Sequence, residues 1–342
     1  MARSSTTYPT KWRNSKTTVI RIPEHLADSI TEIAKRLDAA EGYTIREDNE
    51  TLVLEFLKST PSHYDLARPV NVASVPQRSP FRYPGGKTWL IPHIRAWLRS
   101  QGKKPIRLVE PFAGGGIVGL TAAFEGLARH VIMAELDPAV AAVWRVVLNG
   151  QAEWLATKIE KFDLSLGNVR SVLDTAPSTL RERAFQTIVR NRVQRGGILA
   201  PGAGLVKTGE SGRGINSRWY PATLARRIRE INQRKDRITF LEEDAFSLIT
   251  EHAGDGECAF YIDPPYTVAA RRLYATWKVD HAKLFRTMQS CKGDFLMSYD
   301  NTQEIAKLAE DHGFQSRAIA MKNTHHAKMT ELLIGRDLSW ID

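Results

Sequence analysis

The chain has 342 residues, of which 42% are apolar and 25% are charged, the balance of a globular protein with a buried core. No apolar run reaches the roughly 18 residues that a membrane-spanning helix needs, and the amino terminus lacks the apolar segment of a signal peptide. Only two cysteines are present, Cys258 and Cys291. They exclude a disulfide framework and a cysteine-based zinc site, and they favour a cytoplasmic protein.

Positive charge is concentrated in one stretch of the chain. The net charge is +10, and residues 180–237 alone contain 14 lysines and arginines against four acidic residues. A solvated protein face usually mixes both signs, whereas a surface that contacts phosphates collects cations. The distribution therefore predicts a polyanionic partner.

Residues 1–60 have the pattern of a small module, and residues 61–80, with four prolines and several serines, have the composition of a linker. An alternating stretch at 17–23 predicts a short strand, and the apolar stripe over 24–37 predicts an amphipathic helix. Two interpretations stay open. The module is either a ribbon-helix-helix unit, whose strand pairs with that of a second subunit in a homodimer, or a helical cap on the main domain.

Strands and helices alternate from residue 81 onwards. Strands are predicted at 106–110, 130–135, 238–241, 258–262, 295–298 and 328–334, with helices between several of them. This alternation predicts an α/β fold with a doubly wound, mostly parallel sheet. Residues 81–150 and 236–342 would form this α/β domain, and residues 151–235 a basic, helical insert.

The sharpest local pattern is the hexapeptide YIDPPY at residues 261–266, in which an apolar strand ends in a carboxylate. Asp263 and the Pro264 carbonyl can each accept a hydrogen bond from one amino group, Pro265 stiffens the loop, and Tyr266 offers a flat face to a planar ring. Two acceptors draw the amino lone pair out of conjugation, as the weakly nucleophilic N6 of adenine requires. The alternative is a proline-rich turn after a strand.

Residues 108–116, LVEPFAGGG, predict a strand, a glycine-rich turn and a helix. Gly114 and Gly116 allow a ligand to approach the backbone closely at the carboxyl end of a central strand. The stretch lacks the G-x-G-x-x-G pattern of a dinucleotide site and the Gly-Lys-Ser/Thr of a P-loop. An acid before the turn, Glu110, suits a ligand with an ammonium and a sulfonium, such as S-adenosylmethionine, better than a pyrophosphate.

Acidic and aromatic residues follow two further strands. Glu135, with Asp137 as the near alternative, lies where an acid can bind ribose hydroxyls. Asp244 and Phe246 can supply an acceptor for an adenine amino group and a stacking ring. The Gly-Gly-Lys at 85–87 is followed by Thr88, but Phe81 stands where a P-loop has its first glycine, and we interpret residues 81–87 as part of the same pocket.

These motifs, in this order, resemble the Dam family of DNA adenine methyltransferases over about residues 80–335. The family's aromatic-x-Gly-Gly-Lys element matches residues 83–87, its cofactor loop matches 110–116, and its DPPY motif matches 263–266. Its late Ser-Tyr strand end matches 298–299, and its terminal Glu-Leu-Leu-Ile strand matches 331–334.

The resemblance implies a Rossmann-like methyltransferase that flips adenine out of double-stranded DNA and methylates N6 directly from S-adenosylmethionine, without a metal. The catalytic residues it implies are Asp263, Pro264, Pro265 and Tyr266. The cofactor-binding residues it implies, together with the motifs above, are Tyr83, Gly86, Lys87, Glu110, Pro111, Phe112, Gly114, Gly116, Glu135, Asp244 and Phe246. A bacterial or phage origin is expected.

The resemblance implies that residues 81–150 and 236–342 form the catalytic domain and that the insert at 151–235 recognises the DNA target. This predicted recognition region departs from the family pattern. The family's Asn-Arg pair matches Asn191 and Arg192, but the glycine-rich stretches at 194–197 and 211–214 are this chain's own and leave the recognition sequence open, GATC included. The predicted DNA-binding residues are Arg190, Asn191, Arg192, Arg195, Arg213 and Arg218.

Three alternative functions fit the sequence less well than adenine methylation. Cytosine N4 methyltransferases typically carry serine at the position of Asp263, and a glutamine methyltransferase with Asn-Pro-Pro-Tyr would have little reason for a basic insert. A DNA-binding regulator with a silent methyltransferase domain is disfavoured by the intact motif set.

Overall fold

The computed structural model describes residues 75–82, 86–200, 202–265, 279–322 and 328–341. The module predicted at residues 1–60 lies outside these residues, so its two interpretations and the homodimer stay predictions. Among the helices of the described residues, none is both long and apolar enough to cross a membrane.

Seven strands form one sheet in the order β3-β2-β1-β4-β5-β7-β6. The strands are β1 (Arg107–Glu110), β2 (His130–Ala134), β3 (Ile238–Leu241), β4 (Cys258–Ile262), β5 (Asp294–Asp300), β6 (Gln315–Lys322) and β7 (Lys328–Gly335). The first five strands are parallel to one another, and β7 runs antiparallel to both β5 and β6. The prediction of a doubly wound, mostly parallel sheet is confirmed.

Helices cover both faces of this sheet, which is why the central strands are almost continuously apolar. All five residues of β4 are buried. The helices are α1 (Ile91–Ser100), α2 (Ile117–Glu125), α3 (Pro138–Leu148), α4 (Ala152–Lys161), α5 (Leu166–Asp174), α6 (Leu180–Val193), α7 (Pro221–Asn232), α8 (Ala245–His252), α9 (His281–Ser290) and α10 (Gln303–Asp311). Side chains that accept a backbone N–H fix several helix starts, among them Asp137 at α3 and Thr179 at α6.

The basic region forms α4 to α7 and packs directly on the catalytic domain. Helix α3 lies against α6, and α4 lies against α7. Trp144 of α3, Phe185 and Ile188 of α6 and Ile228 of α7 belong to one hydrophobic cluster. The predicted insert at 151–235 therefore shares its core with the α/β domain instead of building a core of its own.

The last residues of the predicted linker at 61–80 belong to the main domain in the structure. Val75 is 3% exposed and belongs to the main core, and the Ser79 hydroxyl donates to the Gly115 carbonyl at 2.5 Å. The main domain thus begins at least six residues before the predicted residue 81. Strand β6 is not predicted from the sequence, because its first four residues are all exposed at this sheet edge and leave only a weak apolar pattern.

Candidate active site

The carboxyl ends of β1, β2, β3 and β4 surround a pocket of about 270 Å³. In a parallel sheet the strands present their carboxyl ends at one edge, and ligands bind in the crevice where the strand order reverses, here beside β1 and β4. Most of the residues singled out by sequence line this pocket. They include Gly86, Lys87, Glu110, Pro111, Phe112, Gly114, Gly116, Glu135, Asp137, Asp244, Phe246, Asp263 and Pro265.

The glycine-rich loop after β1 is held in place by its neighbours. Gly114 and Gly116 have φ values of 46° and 61°, in the left-handed region. A Cβ on Gly116 would lie 2.9 Å from the Trp144 ring, and the positive φ at this position also favours glycine. The Trp144 indole donates to the Gly114 carbonyl at 3.0 Å. The loop is therefore a rigid wall of the pocket.

Glu110 ends β1 and is 3% exposed. One of its carboxyl oxygens accepts the Gly119 N–H at 2.7 Å, at the start of α2. Burial raises the pKa of Glu110 to about 8, and the nearby charge of Asp263 adds to that effect, against the Gly119 hydrogen bond. A cation that binds in this pocket would stabilise the ionised form of the Glu110 carboxyl.

Glu135 follows β2 and holds two backbone groups. Its oxygens accept the N–H of Gly114 and the N–H of Asp137, both at 2.9 Å. Desolvation raises the pKa of Glu135 to about 7. Asp137, the near alternative, accepts the Ala139 N–H and so caps α3, while it also lines the pocket. Both acids are placed where a polyhydroxyl group could be bound.

Asp244 and Phe246 follow β3 at the opposite side of the pocket. Asp244 accepts the Ser247 N–H at 3.0 Å and caps α8, which presents Phe246 to the pocket. The Lys283 ammonium lies 4.6 Å from the centre of the Phe246 ring. An acceptor beside a half-buried aromatic ring fits the chemistry of a nucleobase.

Asp263 lies at the end of β4 in a network of hydrogen bonds. Its Oδ1 accepts the Ser298 hydroxyl at 3.0 Å and is 3.0 Å from Lys87 Nζ. Since Ser298 donates to Asp263, it accepts from the Tyr261 hydroxyl at 2.9 Å. Asp263 keeps about a fifth of its side-chain surface exposed, whereas Lys87 keeps 4%.

Lys87 lies between two acids. Its Nζ is 3.5 Å from Glu331 Oε2 on β7 as well as 3.0 Å from Asp263. Burial lowers the pKa of Lys87, but the two carboxylates outweigh burial and the pKa ends above its ordinary value. Lys87 is therefore an ammonium at neutral pH, and it orients the carboxylate beside it. Two predicted residues, Tyr83 and Tyr266, lie outside the described residues.

The predicted DNA-binding pair Asn191 and Arg192 is buried at the end of α6. The Asn191 amide accepts the Arg82 N–H at 2.8 Å and donates to the carbonyls of Arg82 and Gly197. Asn191 is 0% exposed, so it has no surface to offer a phosphate. The structure thus places Asn191 inside the protein and not on the predicted DNA-binding surface. There it acts as a clamp that holds the backbone of Arg82 and Gly197 in the pocket wall.

Arg192 is 8% exposed and donates to the Pro80 carbonyl. Burial lowers the pKa of Arg192 to about 9, helped by the nearby cations Arg227, Arg82 and Arg218. Arg227 of α7 donates to the adjacent Ser79 carbonyl at 3.1 Å. Part of the basic region is therefore used inside the protein, a role that a count of charges cannot reveal.

The other predicted DNA-binding arginines have more access to solvent. Arg195 and Arg213 are exposed, while Arg190 and Arg218 are half-buried. Arg213 donates to the Tyr220 hydroxyl at 3.0 Å. Arg195 lies two residues before Gly197, which lines the pocket with Leu199. The loop after α6 thus joins exposed cations to the pocket mouth.

Sequence reasoning missed several residues of this site. Ser298 and Glu331 stood in matched motifs without a role, and Tyr261 was treated only as part of a strand. Ser79, Leu136, Gly197 and Leu199 also line the pocket or hold its wall. A polar residue inside an otherwise apolar strand, as at Ser298 and Glu331, was the available signal.

Comparisons with known proteins agree with this geometry. The sequence profile of the D12 class N6 adenine-specific DNA methyltransferase family matches residues 83–191 and 206–324. No curated protein sequence matches the chain. The unmatched residues 192–205 comprise the last two residues of α6 and part of the loop after it.

Solved structures that resemble this chain at low TM-scores include two methyltransferases and TYW2. The rRNA methyltransferase AviRa from Streptomyces viridochromogenes is 19% identical, with 81% of this chain and 93% of that chain covered and a TM-score of 0.34. A methyltransferase from Geobacter sulfurreducens is 12% identical, with 89% and 96% covered and a TM-score of 0.32. TYW2 from Pyrococcus horikoshii, in complex with MeSAdo, is 10% identical, with 78% and 67% covered and a TM-score of 0.29.

The family profile spans both the strand ends that form the pocket and the helices of the basic region, about two thirds of the chain. The Dam subclass stays a prediction. The chain is a methyltransferase and belongs to the D12 class N6 adenine-specific DNA methyltransferase family.

Proposed function

We propose that this chain transfers the methyl group of S-adenosylmethionine to the exocyclic N6 of adenine in double-stranded DNA, as a Dam-like member of its family. The observation that carries the proposal is Asp263, a carboxylate at the pocket that Lys87 and Ser298 hold in one orientation. A preorganised acceptor of this kind can orient an amino group without rearranging during the reaction.

The residues around the pocket fit the proposed cofactor. S-adenosylmethionine, when bound, supplies an electrophilic methyl group on a sulfonium. Glu110 lies where it can bind the ammonium, Glu135 can bind the ribose hydroxyls, and Asp244 with Phe246 can hold the adenine ring. The glycine-rich loop leaves room for close backbone approach. The proposed transfer uses no metal.

The chain's own groups account for orientation of the target base. Asp263 and the Pro264 carbonyl accept the two N–H groups of the target amine, so the nitrogen lone pair points out of the ring plane. As the new N–C bond forms and the S–C bond breaks, the nitrogen becomes positively charged. The neighbouring carboxylate of Asp263 stabilises that charge until the nitrogen loses one proton to solvent.

The target adenine reaches Asp263 only if it leaves the base stack, at a cost of a few kcal/mol. Gly197 and Leu199 line the pocket, and exposed Arg195 lies on the same loop. We propose that this loop faces the DNA. Contacts to phosphates by Arg190, Arg195, Arg213 and Arg218 would then position the duplex.

The deciding experiment incubates the purified chain with isotope-labelled S-adenosylmethionine and mixed-sequence duplex DNA, followed by mass spectrometry of the nucleosides. We expect labelled N6-methyladenine. Asp263→Asn should lower the rate by about 100-fold or more because a neutral amide is a weaker acceptor, while cofactor binding is retained.

Asp311→Asn is the matched control, since it removes one exposed carboxylate on α10. It should methylate like the wild type. The proposal is refuted if N4-methylcytosine or no labelled base appears, or if Asp263→Asn turns over normally. Methylation of RNA in preference to DNA would move the substrate to another class of nucleic acid.

A further inference from the structure

Glu331 on β7 contacts the ammonium that also contacts the catalytic carboxylate. The distances from Lys87 Nζ are 3.0 Å to Asp263 and 3.5 Å to Glu331. We propose that Glu331 is a positioning residue for methyl transfer that acts through Lys87, holding the ammonium between two carboxylates so that Asp263 stays a strong acceptor. This inference rests on the proposed function.

The surroundings of Glu331 argue that its charge has a purpose beyond packing. Glu331 is 5% exposed and precedes Leu332, Leu333 and Ile334, which are all buried. A buried carboxylate is costly unless it is paired, and an apolar residue would fill the same position without that cost. Strand β7 is far in sequence from Lys87, yet it supplies the acid at this point.

The charges explain how Glu331 can act at a distance from the substrate. Lys87, Asp263 and Glu331 together carry a net charge of −1 when all three are ionised. Without the charge of Glu331, Asp263 would interact more strongly with the ammonium of Lys87 and would become a weaker acceptor for the target amine. Glu110 is another acid near Asp263, and in the ligand-free protein its pKa is raised to about 8.

The test is a double-mutant cycle on the full-length chain, read by single-turnover methylation of duplex DNA. For E331Q we expect a rate about tenfold lower, with the dissociation constant of S-adenosylmethionine changed by less than about twofold. In a K87M background the same substitution should change the rate by less than about twofold, because the ammonium that transmits the effect is gone. E304Q, which removes an exposed acid on α10, serves as the charge-matched control.

Several outcomes overturn the inference. E331Q at the wild-type rate would do so. An equal fold-change of the rate in the wild-type and K87M backgrounds would also do so, because it would mean that Glu331 acts through the fold. If E331Q does not fold by circular dichroism, E331D decides instead. The E331D substitution keeps the negative charge but moves it away from Lys87 Nζ. It should lower the methylation rate about threefold when Lys87 is present and leave the rate unchanged in the K87M background.

The failure of this inference differs from the failure of the proposed function. A wild-type chain that methylates no DNA contradicts the function itself. A wild-type chain that methylates adenine while E331Q does so equally well contradicts only the role of Glu331.

Discussion

Cofactor binding should depend on pH because Glu110 lies at the pocket with a raised pKa. Burial raises this pKa from 4.5 to about 8, so in the free protein at a pH of about 6.5 the group is almost entirely protonated. A cationic ligand favours the carboxylate, and binding should therefore release a proton at neutral pH. We expect that Glu110→Gln, which keeps an acceptor for the Gly119 N–H, removes this proton release.

The size of the effect follows from the pKa. If the bound form requires an ionised Glu110, the affinity for S-adenosylmethionine should rise about 20-fold between about pH 6.5 and pH 8.5. Isothermal titration in buffers of different ionisation enthalpy counts the protons released. Glu135, with a pKa of about 7, would add a smaller contribution below pH 7. Equal affinity at both pH values, or no proton release near pH 7, would refute the reasoning.

The same carboxyl should also affect the stability of the ligand-free protein. The folded pKa of Glu110 lies above the unfolded value, so folding binds a proton and stability falls as pH rises from 4.5 through 8. The shift of about 3.5 pKa units amounts to on the order of 5 kcal/mol at high pH. Glu110→Gln should therefore melt at a higher temperature than the wild type at about pH 8.5 and show little difference at about pH 5.

Three other outcomes test the remaining surfaces. Replacing exposed Arg195 and Arg213 by glutamine should flatten the salt dependence of DNA binding by about one unit of log–log slope for each phosphate that is no longer neutralised, whereas Arg226→Gln, paired with Glu230, should not. Asn191→Ala should weaken cofactor binding measured without DNA, and unchanged affinity would contradict its role as a clamp. Deleting residues 1–70 should leave methylation of short duplexes intact and, if the module dimerises, yield a monomer by light scattering; loss of all activity would place the segment in the catalytic fold.

The sequence allowed prediction of what depends on local pattern. Apolar runs ending in a polar residue located β1, β2 and β4, and with them Glu110, Glu135 and Asp263, because a parallel sheet brings its strand ends together. The Lys87–Glu331 contact joins residues more than 200 positions apart. No periodicity encodes such a contact, and only the order of strands β4, β5 and β7 brings it about.

The side chains of the Asn-Arg pair suit either binding to a phosphate or pairing with buried backbone carbonyls. Only their burial in the structure distinguishes the two roles. In sequence, Asn191 and Arg192 stand in a cationic stretch and look like groups for a phosphate. In the structure their donors are directed at the carbonyls of Arg82, Gly197 and Pro80, backbone groups that would otherwise be buried without partners.

This arrangement ties the loop after α6 to the cofactor pocket. Residues 79–82 are held at one end by the Ser79 hydroxyl on the Gly115 carbonyl and at the other by the Asn191 amide. A Cβ on Gly197 would lie 2.1 Å from the Arg82 carbonyl oxygen, so the loop and the segment 79–82 are in direct backbone contact. A displacement of the loop by DNA would therefore be transmitted to Phe81 and Arg82, which line the pocket. Binding of DNA and of the cofactor should be energetically coupled for this reason, and by linkage the coupling has the same size in both directions.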